Sequence, residues 1–510
     1  MNILTTQQSK ELDKISIEDF NINSIDLMEN AGKSIAQKSI QLLLKIKKPS
    51  IIVISGFGNN GGDAFVSARM LYDKGYNVKI LTFTKIKNRK YPSLKFYNQC
   101  LKRKIPILYN DEINGVMYPD LIIDGIFGTG YRKKKNSYIF SLINWINNSS
   151  SIILSIDVPS GLNTDSGLVD NICVEANHTI ALEALKTGMV FREGKKYSGS
   201  VEIAKIGFPE RAYKKIKGLS WKIFDKNKEL ALLKKPKIDI NKYNSGKVLI
   251  IAGSKGMTGA SILATLGSLR TGAGMTISII PSSLNNIYES SIIEGITYPL
   301  NDNMSGYLKI EHYQAIMEKI GWADCVILGP GLGREQSTMK LIKKLIFSIN
   351  KPLVLDADGL YQFQNNYAEL NKRKSPMIIT PHFGELKNLL GIEKHELKND
   401  FSNIMTNFMK SFHHTALVKQ IPSCTFYKNN VTINISGNPG LATAGTGDVL
   451  SGMIASFISQ NMPINKAAEI SAFLHGKSAD ILSNQKGYRG QLASDLLTVI
   501  PGLIMRYEQS

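Results

Sequence analysis

The sequence predicts an α/β protein built as two three-layer αβα domains, each on a mostly parallel sheet. Three observations carry this. Apolar, strand-like runs alternate with helix-length segments along most of the chain, the pattern of βαβ units. Several of those runs are continuous rather than alternating, as strands covered on both faces must be. At 510 residues the chain also exceeds a single core, since domains run to roughly 100–200 residues.

The elements follow in order. The stretch from Ser9 to Leu44 reads as helices, with Leu27, Met28, Ala31, Ile35 and Ala36 at helical spacing. Strands are expected over 51–55, 78–83, 121–124, 152–157, 178–181 and 201–206. Order weakens across the lysine-rich stretch 211–241, which contains Pro236. The linker is placed there, giving domains of residues 1–218 and 225–510. A second series has strands over 248–252, 276–280, 325–328, 353–356, 378–380 and 416–419, then helices over 447–459 and 465–482.

The formal charge of +20 raises the question of nucleic acid. The excess is mostly lysine, in stretches such as Lys133-Lys134-Lys135 and Lys234-Lys235. It lacks the arginine and interleaved aromatics of an RNA surface, so it reads as solvated surface. No apolar run is long enough to span a membrane. The N-terminal residues lack the basic start and apolar core of a secretory signal. Cys100, Cys173, Cys325 and Cys424 stand far apart, without ligand spacing. The expectation is a cytoplasmic protein whose partners are small molecules and further copies of itself in a homo-oligomer, not specific nucleic acid or membrane.

In the N-terminal half, the apolar run 51–55 leads into Gly56-Phe57-Gly58-Asn59-Asn60-Gly61-Gly62-Asp63. Gly56, Gly58 and Gly61 satisfy G-x-G-x-x-G between a strand and a helix, a turn that brings backbone N–H groups to a phosphate. A plain dinucleotide dehydrogenase would carry an acid at the end of its second strand, and 78–83 ends without one. A third strand ends in Asp124-Gly125-Ile126-Phe127-Gly128-Thr129-Gly130, and a fourth in Asp157-Val158-Pro159-Ser160-Gly161-Leu162. Each could be a simple turn. Together they gather oxygen ligands and a base where open parallel sheets bind ligands.

These motifs, with Leu27-Met28-Glu29-Asn30-Ala31-Gly32, resemble the NAD(P)H-hydrate epimerase family over residues 1–215. The resemblance implies a Rossmann-like sheet. It implies a substrate pocket lined by Asn60, Gly61, Gly62, Asp63 and Ala64, by Gly128, Thr129, Gly130, Tyr131, Arg132, Lys133 and Lys134, and by Asp157. It also implies a potassium ion held by Asn60, Asp124 and Ser160. Ala64 departs from the glycine common in the family. The reaction inverts C6 of a hydrated nicotinamide ring and needs a proton acceptor in a shielded pocket; Asp157 is the candidate base.

In the C-terminal half, Asn438-Pro439-Gly440 through Thr446-Gly447-Asp448 precedes an apolar helix. Free N–H groups and the helix dipole there make an anion hole. Asp448 is either a helix cap or a base acting on a hydroxyl beside a phosphoryl group. This loop resembles the ribokinase-like superfamily. With Gly253–Ala260, Gly329-Pro330-Gly331-Leu332-Gly333, Leu355–Leu360 and Thr380–Glu385, it resembles the ADP-dependent NAD(P)H-hydrate dehydratase family over residues 240–505. That implies substrate contacts from Ala260, Gly331, His382 and Asp448, and nucleotide contacts from Lys419, Gln420, Ile421, Pro422, Ser423 and Gly447. Gln420 departs from a family glycine and adds bulk where backbone should approach closely. Phosphoryl transfer from ADP would turn the C6 hydroxyl into a leaving group, with Asp448 taking its proton and Mg²⁺ offsetting phosphate charge. His413 and His414 read as structural or exposed residues in a helical stretch.

The two modules belong together because hydration yields both C6 epimers. Three alternatives compete: a vitamin-precursor kinase on the ribokinase-like domain, a non-catalytic interaction module like those of mRNA-decapping scaffolds in the epimerase-like half, and a basic RNA-binding protein.

Overall fold

The computed structural model describes residues 2–83, 91–109, 117–130 and 137–508. The chain forms two compact units, Met1–Trp221 with Lys398–Asn403, and Lys222–Leu397 with Ile404–Ser510. No helix among the described residues is long and apolar enough to cross a membrane.

The first unit opens with helices α1 (Thr6–Glu18) and α2 (Ser24–Leu43). Thr5 closes a capping box with Gln8, and the Asn23 side chain accepts from Ile25 N, so both starts have satisfied donors. Strands β1 (Ser50–Ser55), β2 (Asn77–Thr82), β3 (Ile107–Tyr109), β4 (Leu121–Gly125), β5 (Ile152–Ile156), β6 (His178–Leu182) and β7 (Ser200–Ala204) form a parallel sheet. Their spatial order is 3-2-1-4-5-6-7, which reverses direction between β1 and β4. Helix α3 (Asn59–Asp73) leaves β1. Ile51 and Val53 bury toward α2 and α3, whereas Ile52 and Ile54 bury against the helix Ser137–Asn147. Both faces are dry, which is why β1 reads as an unbroken apolar run.

Gly56 allows the close approach of β1 and β4. A Cβ there would lie 1.8 Å from Ile126 O, which is backbone and cannot move aside. Gly56→Ala is therefore expected to destabilise this unit by about 1–3 kcal/mol or more. A lowered chemical-denaturation midpoint for the first unit's transition checks it.

The second unit repeats the plan. Strands β8 (Lys247–Ile251), β9 (Met275–Pro281), β10 (Ile296–Leu300), β11 (Cys325–Leu328), β12 (Leu353–Leu355), β13 (Met377–Ile379) and β14 (Thr415–Val418) are parallel, in spatial order 10-9-8-11-12-13-14. An antiparallel hairpin, β15 (Ser423–Tyr427) and β16 (Asn430–Asn434), continues past β14. Helices α4 (Thr258–Arg270), α5 (Phe383–Leu390), α6 (Thr446–Ser459) and α7 (Ile464–Lys486) complete the elements used below. Val248, Ile250, Ile327, Val354, Ile378 and Leu417 pack with Val449, Met453 and Ile454 of α6 and Ile470 and Leu474 of α7 in one core.

Four expectations are corrected. The stretch 211–241 carries ordered elements: helices Glu210–Tyr213 and Lys226–Glu229 and a strand Ser220–Ile223, pinned by buried Trp221, Leu230 and Leu233 among exposed lysines. His413 and His414 do not sit in a helix. The preceding helix stops at Ser411, and His414 Nε2 lies 3.2 Å from Leu370 O in the loop before β14. Strand β5 ends at Ile156, and Asp157 turns out of it with φ +66°. Strands β3, β10, β15 and β16 and a short parallel pair, Asn2–Leu4 with Leu185–Lys186, join the expected set.

Candidate active sites

In the first unit the order reversal opens a crevice at the carboxyl ends of β1 and β4, where such sheets bind ligands. A cavity of about 900 Å³ lies there. The turn Gly58–Asn60 and Asp63 of α3 line it, as do Phe127–Gly130 after β4, Asp157 after β5, Lys186 after β6 and Asp13 of α1.

Asp157 is the focal group. Its Oδ1 accepts from Leu182 N (3.1 Å) and from Lys186 Nζ. The buried ammonium of Lys186 also donates to Leu182 O (2.9 Å) and Ala184 O (3.1 Å), so its three protons are all committed. Only Oδ1 of Asp157 takes part in these bonds. The surrounding acids respond to that charge. Burial and then Asp157 push the Asp13 carboxyl up to about 6. Burial, Asp157 and Asp13 push Asp63 well above the usual carboxylate range.

Asp124 lies behind the cavity wall and is wholly buried. Its Oδ1 accepts from Ser160 Oγ (2.6 Å) and Ile126 N (3.2 Å), and its Oδ2 from Ser155 Oγ (2.8 Å) and Ser160 N (2.9 Å). Burial nevertheless raises its pKa, so the charged form would gain from a cation nearby. Asn60 Nδ2 donates to Phe127 O (2.9 Å) and Ile156 O (3.2 Å), and Ser160 Oγ accepts from Phe127 N (2.9 Å). Asn60, Asp124 and Ser160 therefore lie around the turn at Phe127, where the Asp124 carboxylate, the Ser160 hydroxyl and the Phe127 and Ile156 carbonyls are oxygen atoms of the kind a hard monovalent cation takes.

The remaining expected pocket residues divide. Gly128, Thr129 and Gly130 face the cavity. Gly61 packs on Gly56 O, Gly62 on the Met28 sulfur, and Ala64 is fully buried; these three shape the start of α3 from behind. Tyr131, Arg132, Lys133 and Lys134 lie outside the described residues.

In the second unit the reversal falls between β8 and β11. The loops after these strands are stitched by Gly253 N to Pro330 O (2.8 Å) and Ser254 Oγ to Gly331 O (2.8 Å). Gly331 lies against Ala260, its built Cβ falling 2.9 Å from the alanine Cβ. Gly445 precedes α6 at φ +91°, left-handed backbone that favours glycine, and no side chain caps the helix. Thr446 N and Asp448 N turn back to Thr443 O (3.5 Å) and Gly445 O (3.1 Å), which among the described residues leaves Gly447 N as the first-turn donor for an anion.

Asp448 sits in that first turn, half-buried and not acting as the cap. Burial, then Asp356 and Glu385, push its carboxyl up to about 7, with Lys419 opposing. Asp356 is the buried counterpart. It accepts from Lys419 Nζ (2.8 Å), Ser451 Oγ (2.7 Å) and Ala357 N (2.9 Å). Burial works to raise Asp356, but Lys419 and these bonds outweigh it and hold the pKa below the usual range. The Lys419 ammonium also comes within 3.3 Å of a Cβ built on Gly447, so it lies over the mouth of α6.

His382 precedes α5. Its Nδ1 accepts from Gly384 N (3.0 Å) and Glu385 N (3.1 Å), while Glu385 Oε2 accepts from His382 N (2.8 Å). This capping box leaves Nε2 3.5 Å from Glu385 Oε1. Gln420 turns its amide to the Cys424 sulfur (3.7 Å), Ile421 is exposed, and Ser423 opens β15. Segment 419–423 thus runs beside α6 with Lys419 pointing inward.

Sequence reading missed four groups. Lys186 is an ion-bearing residue ending an apolar stretch, the signal that found Asp124. Asp356 ends a strand within a quoted motif and carries the same signal. Asp13 looks like an ordinary exposed position of an amphipathic helix. His475, fully packed with Nε2 2.9 Å from Thr446 O and its pKa driven down to about 4 by burial, has no sequence signal.

The first unit thus offers a cavity centred on a carboxylate, and the second a glycine-rich helix start with an acid in its first turn and a lysine over it. Together they define a two-module α/β enzyme that handles protons in one module and phosphoryl groups in the other. A family described as YjeF-related protein N-terminus matches residues 24–188, and one described as NAD(P)H-hydrate dehydratase matches residues 248–502. A bifunctional NAD(P)H-hydrate repair enzyme Nnr of Moorella thermoacetica is 30% identical, covering 100% of this chain and 98% of the relative. A ribokinase-like superfamily protein from Enterococcus faecalis V583 is 23% identical, with TM-score 0.50, over 57% of this chain and 97% of the other. An ADP/ATP-dependent NAD(P)H-hydrate dehydratase from Bacillus subtilis, co-crystallized with ATP/Mg2+, is 24% identical, with TM-score 0.50, over 56% of this chain and 98% of the other. These two structures bear on the fold, which is ribokinase-like. The chain belongs to the family of bifunctional NAD(P)H-hydrate repair enzymes. Full-length similarity to that family does not favour the vitamin-precursor kinase or the scaffold module.

Proposed function

We propose that the first unit interconverts the R and S epimers of hydrated NADH and NADPH at C6, and that the second dehydrates the S epimer at the expense of ADP, giving AMP and phosphate. The observation carrying this is the placement of one carboxyl per unit, Asp157 and Asp448, at the carboxyl ends of separate parallel sheets.

Asp157 accepts the proton of the C6 hydroxyl, while Lys186 and Leu182 N hold its other oxygen. Asp63, whose carboxyl burial and the neighbouring Asp157 and Asp13 push toward its neutral form, faces the same cavity. K⁺ would be held by Asn60, Asp124 and Ser160, where it would offset the buried charge of Asp124.

In the second unit, Ala260, Gly331 and His382 bind the hydrated coenzyme, and segment 419–423 with Gly447 binds the nucleotide. The N–H groups of α6 and the Lys419 ammonium offset phosphoryl charge. Asp448 takes the hydroxyl proton as phosphate is transferred to C6–O; the ring nitrogen's lone pair then expels that phosphate from C6, and loss of a proton from C5 to the departing phosphate or to water restores the C5–C6 double bond of the dihydronicotinamide. Mg²⁺, carried mainly by the nucleotide's phosphates, neutralises their charge. Among the described residues no cluster of three or more His, Cys, Asp or Glu is placed to hold a metal ion. Cys100, Cys173 and Cys325 are buried free thiols, which supports a cytoplasmic setting.

The base form of Asp448 is the ionised one, and its pKa is pushed up to about 7. Dehydration at saturating substrate should therefore rise with pH through about 7 and level off above it. A rate that is flat or falls across that range removes Asp448 as the base. The overall reading is tested by incubating the protein with mixed epimers, ADP, Mg²⁺ and K⁺ and following return of the dihydronicotinamide absorbance.

A further inference from the structure

A second, smaller cavity of about 130 Å³ opens beside His382, lined by Arg334, Tyr361, Gln364, His382, Glu385 and Asn388 among others. Arg334 follows the Gly329–Gly333 loop and has no role in the chemistry above. Its Nε donates to Asp358 Oδ1 (3.0 Å), and its guanidinium carbon lies 4.1 Å from the centre of the Tyr361 ring. Asp358 Oδ2 accepts from Gly333 N (3.0 Å), so the acid ties the arginine to the substrate loop. These contacts fix the plane of the guanidinium. Among the described residues its two terminal nitrogens meet no acceptor, and the side chain is 60% exposed.

We propose that this cavity is a phosphate subsite for the dinucleotide substrate of the second unit, with the terminal nitrogens of Arg334 as the ligands. This rests on the repair reading for the identity of the dinucleotide. A planar fork with two free donors suits a phosphate, which it grips in bidentate fashion. Stacking on Tyr361 orients the fork in advance. The volume is far below the roughly 300–1,000 Å³ of a pocket for a whole small ligand, so it takes a substituent. The acid that lines the cavity, Glu385, does not oppose an anion strongly. Glu385 Oε2 accepts from His382 N, and burial raises its pKa. His382, which this cavity shares with the coenzyme site, links the phosphate end to the reacting end.

Two phosphates could occupy the subsite: the pyrophosphate common to both hydrates, or the 2′-phosphate present only in hydrated NADPH. The test compares wild type, Arg334→Gln and Arg334→Lys in dehydration of each S hydrate, and titrates each protein with NADPH in a calorimeter. Arg334→Gln should raise KM roughly tenfold or more, the size of a lost charge-assisted hydrogen bond, with kcat little changed. Arg334→Lys keeps the charge without the fork and should fall between. Equal rises for both hydrates assign the pyrophosphate; a rise confined to the NADPH hydrate assigns the 2′-phosphate. Unchanged KM for both, or a fall in kcat alone, overturns the subsite while leaving the repair reading standing. If wild type restores neither hydrate, the repair reading fails. The subsite is then decided by the difference in NADPH isotherms between wild type and Arg334→Gln: weaker binding in the variant supports it, and identical isotherms overturn it.

Discussion

Asp448→Asn is expected to abolish return of both hydrated coenzymes while the fold of the second unit is kept. Removing a positioned base costs roughly 10²–10⁴ in rate, and here the base is also the only acid in the first turn of α6. The substitution preserves shape. It should not weaken the unit, and the sign of the pKa shift says why. A carboxyl whose pKa is raised on folding opposes folding at pH values above its ordinary pKa. Asp448 is raised by burial and by Asp356 and Glu385, so replacing it with a neutral amide relieves repulsion at neutral pH. The expected pattern is lost dehydration, an unchanged or higher denaturation midpoint and normal epimerisation. Loss of dehydration together with loss of stability would indicate a structural role instead.

Asp157→Asn is expected to leave return of the S fraction intact and to slow that of the R fraction by roughly 10²–10⁴, toward its spontaneous rate. Asparagine tolerates the positive φ at this position, so the backbone turn should persist. The charge balance does not persist, because the buried Lys186 ammonium loses its partner. Breaking a buried pair from one side costs about 3–5 kcal/mol, though the carbonyls of Leu182 and Ala184 soften this. Asp157→Asn combined with Lys186→Met removes both charges and should regain stability without regaining epimerisation. If the double variant recovers epimerase activity, Asp157 acts only by balancing Lys186 and is not the base.

The legible parts of this chain are those where local chemistry and tertiary role coincide. Strand β1 is apolar at every position because both faces are covered, and Asp124, Asp157 and Asp448 stand out because acids follow or interrupt apolar runs. Gly56 reads in the sequence only as part of a G-x-G-x-x-G turn; that a Cβ there would strike Ile126 O depends on the neighbouring strand. What escaped depends on distant residues. The pairing of Lys186 with Asp157 spans a strand and two turns, and Asp13 reaches the cavity from a helix whose sequence looks like plain surface. The hairpin β15–β16 mixes Ser, Thr and Asn with apolar residues and is recognisable as strand only once it pairs beyond β14. His413 and His414 fit a helical rhythm, yet the chain leaves the helix at Ser411 to enter β14.

The division of labour between the two carboxyls can be read from one progress curve. Equal R and S hydrates are mixed with ADP, Mg²⁺ and K⁺, and dihydronicotinamide absorbance is followed for wild type, Asp157→Asn and Asp448→Asn. Wild type should restore all of the coenzyme, Asp157→Asn should pause once the S half is consumed, and Asp448→Asn should stay flat. An Asp448→Asn curve that climbs at the wild-type rate, or an Asp157→Asn curve that passes the halfway mark without slowing, would contradict the assignment.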